Sequence, residues 1–215
     1  MLSNVLRQSL RDQARHYWTE RNPATERYLA GRGLTKEAAD EMMLGTVFDT
    51  PGLEHHYGWL SIPYVTAANW VVGFKFRRLD EGTPKYGSPA GQKTHLYNVR
   101  DILKPSDTIA VCEGELDTII CSQVLNIPAV GSPGVAAWKP HYSKLLAGYE
   151  RVIVIGDNDI KEDGSNPGQE FARRVAQDIS NTVSVVLPPG MDINQTYLIE
   201  GREALRERLG VKANE

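Results

Sequence analysis

The sequence predicts an α/β protein in which a small α+β part precedes a mostly parallel sheet flanked by helices. The strongest observation is RVIVIGDND at residues 151–159, where four β-branched residues run together and end at Gly156. Such a run is typical of a strand buried inside a parallel sheet. Strand-like and helix-like segments also alternate from Thr108 onward, which favours parallel strands packed between helices.

Three helices are predicted at the start of the chain, within a first domain that we expect to span residues 1–104. Apolar residues recur at helical spacing over Leu2–Glu20. Pro23–Gly31 follows, and proline suits the first turn of a helix because the backbone N–H there has no partner to lose. Thr35 is predicted to cap a third helix, which Gly45 ends.

The apolar spacing then becomes alternating, which predicts a small antiparallel sheet. Its strands are expected at Leu60–Tyr64 and Trp70–Arg78, with Asn69 in the turn between them. The face of the second strand that would point outward is basic and consists of Val71, Gly73, Lys75 and Arg77. An ordinary solvated surface accounts for these residues as well as a binding surface does.

A loop rich in glycine and proline, residues 82–97, is predicted to extend this basic surface. It carries Lys85 and Tyr86, which can offer a charge to a phosphate and a ring to a base. Between Lys75 and Lys104 the chain has seven lysines and arginines against three acids, although its formal net charge is -3. Positive charge is therefore concentrated in one part of an otherwise acidic chain.

The second domain, residues 105–215, is predicted to alternate strands with helices. Its strands are expected at residues 108–112, 128–130, 151–155 and 182–187. Its helices are expected at residues 116–125, 142–146, 169–180 and 202–209. In open sheets of this kind, ligands bind beyond the carboxyl ends of the strands.

Composition argues against several classes of protein. No apolar run approaches the ~18 residues that a membrane span needs, and the N-terminus lacks the apolar core of a signal peptide. Cys112 and Cys121 are predicted to be reduced core residues, and the chain offers no spaced set of zinc ligands. We therefore expect a cytoplasmic protein (in the host cytoplasm if it is viral) with no membrane partner and no zinc site.

Acidic residues follow three of the predicted strands, at Glu113, at Asp157 and Asp159, and at Asp192. Parallel strands would bring them to one edge of the sheet, with Asp117 one helical turn beyond Glu113. Clustered carboxylates repel one another, so the set is favourable mainly with a divalent cation bound. Such a site points to phosphate chemistry, in which Glu113 is the candidate for proton transfer or for a second metal.

These motifs resemble the Toprim domain, which DnaG-like bacterial primases share with type IA and II topoisomerases, some nucleases and recombination proteins. The matching segments are EGELD at 113–117, GDND at 156–159 and the later Asp192. Three upstream segments resemble the N-terminal subdomain of the primase RNA-polymerase core, namely YLAGRGLT at 28–35, GFKFRR at 73–78 and PKYGSP at 84–89. The resemblance covers about residues 24–200, and the two sets of motifs in this order favour a primase.

The resemblance implies roles for the acids. The residues implied to be catalytic are Glu113, Asp157 and Asp159, and these three would hold metal together with Asp117 and Asp192. The residue two positions after Asp192 is an asparagine, Asn194, where the family often has a second acid.

The resemblance also implies a basic groove that holds the template. The residues assigned to it are Arg32, Lys75, Arg77, Arg78, Lys85 and Tyr86. Many relatives continue this motif with Leu-Asn, whereas this chain continues it with Gly87 and Ser88, so the contacts beyond Tyr86 differ.

The expected function is therefore that of a minimal primase core of the kind that phages or mobile elements encode. It would make short RNA primers on single-stranded DNA from ribonucleoside triphosphates, by nucleotidyl transfer with two Mg²⁺ or Mn²⁺ ions. Separate chains would supply the zinc-binding and helicase functions. The same acids would also serve a metal-dependent Toprim nuclease, and a non-catalytic DNA-binding accessory protein is a third hypothesis. A topoisomerase is disfavoured because the chain has no room for a cleavage domain bearing a tyrosine.

Overall fold

The computed structural model describes residues 3–134 and 137–211 and consists of two compact units, the first ending at Lys93 and the second beginning at Thr94. The first is α+β with an antiparallel sheet and the second is α/β with a parallel sheet, so the predicted fold class is confirmed. Residues 94–104, which the sequence prediction gave to the first domain, lie in the second unit. They are held there because buried Asp101 accepts a hydrogen bond from the backbone N–H of Ala129 at 3.0 Å.

The first unit packs three helices with a four-stranded antiparallel sheet. Its helices are α1 (Asn4–Thr19), α2 (Pro23–Gly31) and α3 (Lys36–Glu41). Its strands, in their order across the sheet, are β1 (Gly45–Thr46), β2 (Leu60–Val65), β3 (Val71–Arg77) and β4 (Tyr86–Gly87). A short 3₁₀ helix, Glu54–His56, precedes β2.

Side-chain caps explain where α2 and α3 begin. The Thr35 side chain accepts a hydrogen bond from the backbone N–H of Ala38 at 3.2 Å, as its position before the helix predicts. Asn22 caps α2 in the same way through the backbone N–H of Thr25 at 2.8 Å. Pro23 then occupies the first turn, where no backbone hydrogen bond is lost.

The predicted end of α3 is wrong. The helix stops at Glu41, and the chain turns at Met43 with a φ of 49° before it enters β1. Gly45 does not end the helix but belongs to β1, where it faces α1. A Cβ at this position would overlap the backbone of Tyr17, so the glycine permits the close packing of α1 on the sheet.

Two predictions about the first sheet are also wrong. Residues 86–87, expected within a loop, form the edge strand β4, in which Tyr86 pairs with Arg77. Val71 and Arg77, expected on an outward face, are only 1% and 8% exposed. The register shifts opposite Tyr64 and Val65, and this irregularity reverses the alternation so that Val71 joins the core. Arg77 is covered instead by aromatic rings.

The second unit is built on a parallel sheet of four strands. Their order across the sheet is β6 (Ala129–Gly131), β5 (Thr108–Cys112), β7 (Arg151–Gly156) and β8 (Thr182–Val186). The helices are α4 (Glu115–Ile119), α5 (Ser143–Leu146), α6 (Pro167–Asp178), α7 (Ile193–Glu200) and α8 (Arg202–Arg208). The predicted strands are confirmed to within one residue at each end.

Helices cover both faces of this sheet. On one face, Phe171 and Val175 of α6 belong to the same buried cluster as Val111 of β5 and Val154 of β7. Cys112 points to the opposite face because it follows Val111 in the strand. There its sulfur lies 3.6 Å from that of Cys121, which comes from the helical segment after α4. The central strands are therefore buried on both sides, as their unbroken apolar runs predict.

Two helical predictions for the second unit need correction. The single helix expected at residues 116–125 is α4 followed by a wider π-helical turn, Ile120–Val124. A helix that was not predicted, α7, begins directly after Asp192. None of the helices in the described part of the chain combines the length and apolar character needed to cross a membrane.

A carboxylate in the first unit collects three hydrogen-bond donors. Asp40 accepts from Lys36 Nζ at 2.8 Å, from Trp18 Nε1 at 3.0 Å and from Arg21 Nη2 at 2.7 Å. The hydrogen bond from Lys36, followed by those from Trp18 and Arg21, holds the pKa of Asp40 well below its usual range. A group whose pKa is lowered by folding stabilises the folded state above its unfolded pKa of about 4, and this contribution is lost as the pH falls further.

We expect Asp40→Asn to lower the free energy of unfolding by about 1 kcal/mol at pH 7, because the charge-assisted hydrogen bonds are lost. The difference from the wild type should shrink as the pH is lowered from about 5 to 2. Urea unfolding followed by tryptophan fluorescence at several pH values measures both effects. Glu81→Gln, at an exposed position of the same unit, is the control. A difference that is the same at every pH would contradict the assignment.

Candidate active site and nucleic-acid surface

The carboxyl ends of β5 and β7 bring the predicted catalytic acids together. Glu113 directly follows β5, and its Oε2 accepts a hydrogen bond from the backbone N–H of Asp157 at 3.1 Å. Burial raises the pKa of Glu113, the hydrogen bond from Asp157 opposes that shift, and the nearby charge of Asp159 adds to it. The structure thus gathers Glu113, Asp157 and Asp159 at one edge of the parallel sheet, where such folds bind ligands.

Two glycines allow the first turn of α6 to lie against this edge. A Cβ on Gly156, at the end of β7, would overlap the backbone of Gly168 in α6. A Cβ on Gly168 would overlap the backbone of Asp157 and lie 2.7 Å from Glu113 Oε2. The N-terminus of α6 is therefore close to the Glu113 carboxylate, and its partial positive charge favours that anion.

A lysine from the loop after β7 places a positive charge among the acids. Lys161 Nζ is hydrogen bonded to Asp159 Oδ2, and both side chains are about half exposed. This hydrogen bond raises the pKa of Lys161, and the charges of Asp157 and Glu113 act in the same direction. Carboxylate oxygens that attract an ammonium ion can also attract a metal cation. The Lys161 ammonium therefore supplies positive charge where a metal cation could also bind.

Asn158, between the two aspartates, fixes the neighbouring loop. Its Nδ2 donates to the carbonyl of Leu187 at 2.7 Å, and its backbone N–H donates to the carbonyl of Met191 at 3.1 Å. Its Oδ1 accepts from Asn166, the residue that caps α6. Asn158 therefore ties the loop after β8 and the start of α6 to the edge of the sheet that carries Glu113, Asp157 and Asp159, which we call the acid edge. Sequence reasoning missed this role, although an asparagine between two acids at the end of a predicted strand is the kind of signal that could have indicated it.

The two remaining predicted metal ligands have other contacts. Asp192 caps α7, because its side chain accepts a hydrogen bond from the backbone N–H of Gln195 at 2.7 Å. In return, the backbone N–H of Asp192 donates to the side-chain oxygen of Gln195 at 3.0 Å. Asp192 follows the loop that Asn158 holds. Asp117 lies in the first turn of α4 and is buried, with a carboxylate oxygen close to the backbone of Gly114. A metal-binding role for either residue stays a prediction.

The acids suit a hard cation, but they are not arranged as a finished site. Among the described residues, no three carboxylate, imidazole or thiol side chains converge closely enough to hold a metal ion. The donors nevertheless have the chemistry that Mg²⁺ or Mn²⁺ requires, namely carboxylate oxygens of Asp157 and Asp159 with Glu113 beside them. The ammonium of Lys161 already pairs with one of them, Asp159.

In the first unit, the basic residues predicted to bind nucleic acid are grouped around Tyr86. Lys75 Nζ lies 4.5 Å from the centre of the Tyr86 ring, and the guanidinium carbon of Arg77 lies 5.0 Å from it. Arg77 also donates to the Tyr86 hydroxyl and lies 5.5 Å from the centre of the Tyr28 ring. Lys85, the residue before Tyr86, is exposed.

The other two predicted basic residues lie outside this group. Arg78 is 4.8 Å from the centre of the Trp59 ring and 3.4 Å from an oxygen of Asp80. Arg32 is the C-terminal cap of α2 and is half-buried. The cation–π contact attracts the Arg78 guanidinium to the face of the Trp59 ring.

Two residues that shape this surface were missed from the sequence. The side-chain amide of Gln92 pairs with both backbone groups of Phe74, at 2.6 and 2.8 Å, as a further strand would. His56 is buried beside β4, and a Cβ on Gly87 would overlap its ring nitrogen. The glycine after Tyr86 is thus matched to His56. Neither contact could be predicted from the periodicity of the sequence, because the two partners in each are far apart along the chain.

This architecture is the fold of the DnaG primase catalytic core. It aligns with the zinc-binding and RNA-polymerase domains of the Aquifex aeolicus primase with a TM-score of 0.78 and 19% identity, covering 94% of this chain and 59% of that one. It aligns with the RNA-polymerase domain of Mycobacterium tuberculosis DnaG, bound to a double-stranded DNA oligomer with a 6-nucleotide overhang, with a TM-score of 0.74 and 21% identity. That alignment covers 98% of this chain and 81% of the other.

The chain belongs to the family of the Gene 57 protein of Mycobacterium phage D29, to which it is 38% identical over 156 residues. This match covers 71% of the chain and 98% of the phage protein. The chain is also 25% identical to the DNA primase of Pseudomonas aeruginosa PAO1, over 88% of its own length but only 35% of that protein. It therefore spans about a third of that primase. No protein-family model matches the chain. The predicted resemblance to the DnaG catalytic core is confirmed.

We expect Gly168→Ala to lower the free energy of unfolding by about 2 kcal/mol, because the added methyl group would collide with Asp157 and crowd Glu113. Gly148→Ala is the control, since a Cβ there has nothing within 4 Å. Urea unfolding of both variants measures the difference. An alanine normally favours a helix over glycine, so a more stable Gly168→Ala protein would contradict the close approach of α6 to the acids.

Proposed function

We propose that this chain is the catalytic core of a DNA primase that makes short RNA primers on a single-stranded DNA template. The observation that carries the proposal is the meeting of Glu113 with Asp157 and Asp159 at the carboxyl edge of the parallel sheet. These acids occur within a DnaG-core fold, where the sequence motifs predict catalytic carboxylates. Ribonucleoside triphosphates are the proposed substrates.

The acids are assigned to the nucleotidyl-transfer site. Asp157 and Asp159 would hold Mg²⁺ or Mn²⁺, with Glu113 beside them and Asp117 and Asp192 as further candidates. A divalent ion bound there would neutralise the nucleotide phosphates and lower the pKa of the attacking primer hydroxyl. Glu113 already orients the backbone of Asp157 through one oxygen, so it positions the acid edge before any substrate binds. We assign the transfer of the 3′-hydroxyl proton, or the placement of the metal, to this residue.

The first unit is assigned to the template. Lys75, Lys85 and Tyr86 combine positive charge with an aromatic ring, which suits phosphates and unpaired bases. Arg77 is covered by Tyr28 and Tyr86, so we propose that it orients the Tyr86 ring more than it contacts phosphate. The DNA in the structure of the Mycobacterium tuberculosis relative has a single-stranded overhang, which supports a template of this kind. Zinc-binding and helicase proteins are proposed as partners of this core.

Asp159→Asn should reduce primer synthesis by about a hundredfold or more, because it removes a charged oxygen ligand from the proposed metal site. DNA binding should change little, since Asp159 offers no positive charge to phosphate. The assay supplies single-stranded DNA, labelled ribonucleotides and Mn²⁺ or Mg²⁺. Glu162→Gln, an exposed acid in the same loop, is the matched control and should keep wild-type activity.

The same experiment separates the proposal from its alternatives. Metal-dependent RNA products from the wild type and not from Asp159→Asn support the primase. Shortened DNA without a need for nucleotides would identify a nuclease instead. DNA binding without either product, in the presence of added zinc-module and helicase chains, would favour the accessory protein.

Lys85→Ala should weaken binding to single-stranded DNA and reduce by about one the slope of log affinity against log salt concentration. Lys85 is exposed, so its removal should cost little stability. Lys144→Ala is the control, because Lys144 is an exposed lysine of α5 in the other unit. Fluorescence anisotropy at several salt concentrations measures both variants. If Lys85→Ala and Lys144→Ala give the same slope, Lys85 makes no phosphate contact.

A further inference from the structure

Lys161 places one positive charge beside the acids Glu113, Asp157 and Asp159. Its ammonium group is hydrogen bonded to Asp159 and lies within electrostatic reach of Asp157 and Glu113. These are the three carboxylates that the proposed function assigns to metal and catalysis. A divalent cation bound by the same oxygens would be repelled by an ammonium group in this position.

The loop that carries Lys161 is held by backbone hydrogen bonds, whereas the Lys161 side chain is half exposed. The Lys161 backbone N–H donates to the carbonyl of Ser165 at 2.8 Å, and the Gly164 N–H donates to the carbonyl of Lys161 at 2.9 Å. Asp163 closes the same turn by accepting from the Ser165 N–H at 2.9 Å. The Lys161 side chain is 52% exposed, so it can swing into solvent without unfolding this turn.

Lys161 reduces the electrostatic repulsion among the three acids when no metal is bound. Glu113, Asp157 and Asp159 would otherwise repel one another at the end of the sheet. The half-exposed pair of Lys161 and Asp159 is screened by water, so its strength is modest. A modest ion pair stabilises the empty cluster and can still be displaced by a doubly charged ion.

We propose that Lys161 is a tethered counter-ion of the catalytic acids, which a divalent cation must displace, and that it thereby sets the metal concentration at which the site fills. The inference rests on the proposed function, because it assumes that these acids take a divalent cation. It adds a residue that none of the predicted catalytic motifs contains. In this role Lys161 is a positioning residue, since it acts on the acids and on metal entry.

The test compares Lys161→Gln and Lys161→Arg with the wild type in two measurements that do not need primer synthesis. Mn²⁺ binding is measured by electron paramagnetic resonance of the free ion or by calorimetry. Thermal unfolding is measured with a chelator and again with saturating Mn²⁺. Lys144→Gln is the control for loss of one exposed lysine charge in the same unit.

Lys161→Gln should bind Mn²⁺ about fivefold more tightly than the wild type, because no ammonium group has to leave. Its unfolding temperature in chelator should be lower by about 3 °C, and saturating Mn²⁺ should remove most of that difference. Lys161→Arg, which keeps the charge, should stay close to the wild type in both measurements. Lys144→Gln should also match the wild type.

Unchanged or weaker Mn²⁺ binding by Lys161→Gln, with normal binding by the wild type, would overturn the counter-ion role and leave the proposed function intact. A wild-type protein that binds no Mn²⁺ would overturn both. Tighter binding without any loss of stability in chelator would also contradict the proposal, because the lysine would then not stabilise the metal-free acids.

Discussion

The close contact between the end of β7 and the first turn of α6 is the constraint on which the acid edge depends. Gly156 and Gly168 leave no Cβ atoms between them, so the helix can start directly above the strand. The pairing of β5 with β7 brings the backbone N–H of Asp157 to the Glu113 carboxylate, and the glycine contact places the N-terminus of α6 beside the same group. A larger side chain at either glycine would push the first turn of α6 away from the Glu113 carboxylate.

The acids also have to be stabilised against their mutual repulsion, and the chain achieves this with local groups. The backbone N–H of Asp157 donates a hydrogen bond to the Glu113 carboxylate, and the ammonium of Lys161 forms an ion pair with the Asp159 carboxylate. Asn158 is buried between the two aspartates and uses its polar atoms to hold the adjoining loop and the cap of α6. The edge is thus ordered by hydrogen bonds from the backbone and from Asn158, and by the ion pair between Lys161 and Asp159.

Much of the second unit was predictable because its strands are buried on both faces and therefore have continuous apolar runs. The acids could be placed for the same reason, since parallel strands end at one edge. Helix α7 was missed because Asp192 was interpreted as a metal ligand, although Asp192 with Gln195 three residues later is a recognisable capping box. The buried position of Arg77 could not be predicted, because it depends on Tyr28 of α2 and Tyr86 of β4, which are distant in sequence.

The surface around Tyr86 illustrates how a departure from a family motif can be compensated elsewhere in the chain. Where many relatives are expected to have a Leu-Asn pair, Gly87 leaves space that the ring of His56 fills. The side-chain amide of Gln92 then hydrogen bonds to the backbone N–H and carbonyl of Phe74, a β3 residue that the two-residue strand β4 does not reach. Tyr86 has two cationic neighbours on the same sheet, Lys75 and Arg77. Gly87 has no side chain of its own, so its place at the edge of the sheet depends on its backbone pairing with Phe76 and on the neighbouring ring of His56.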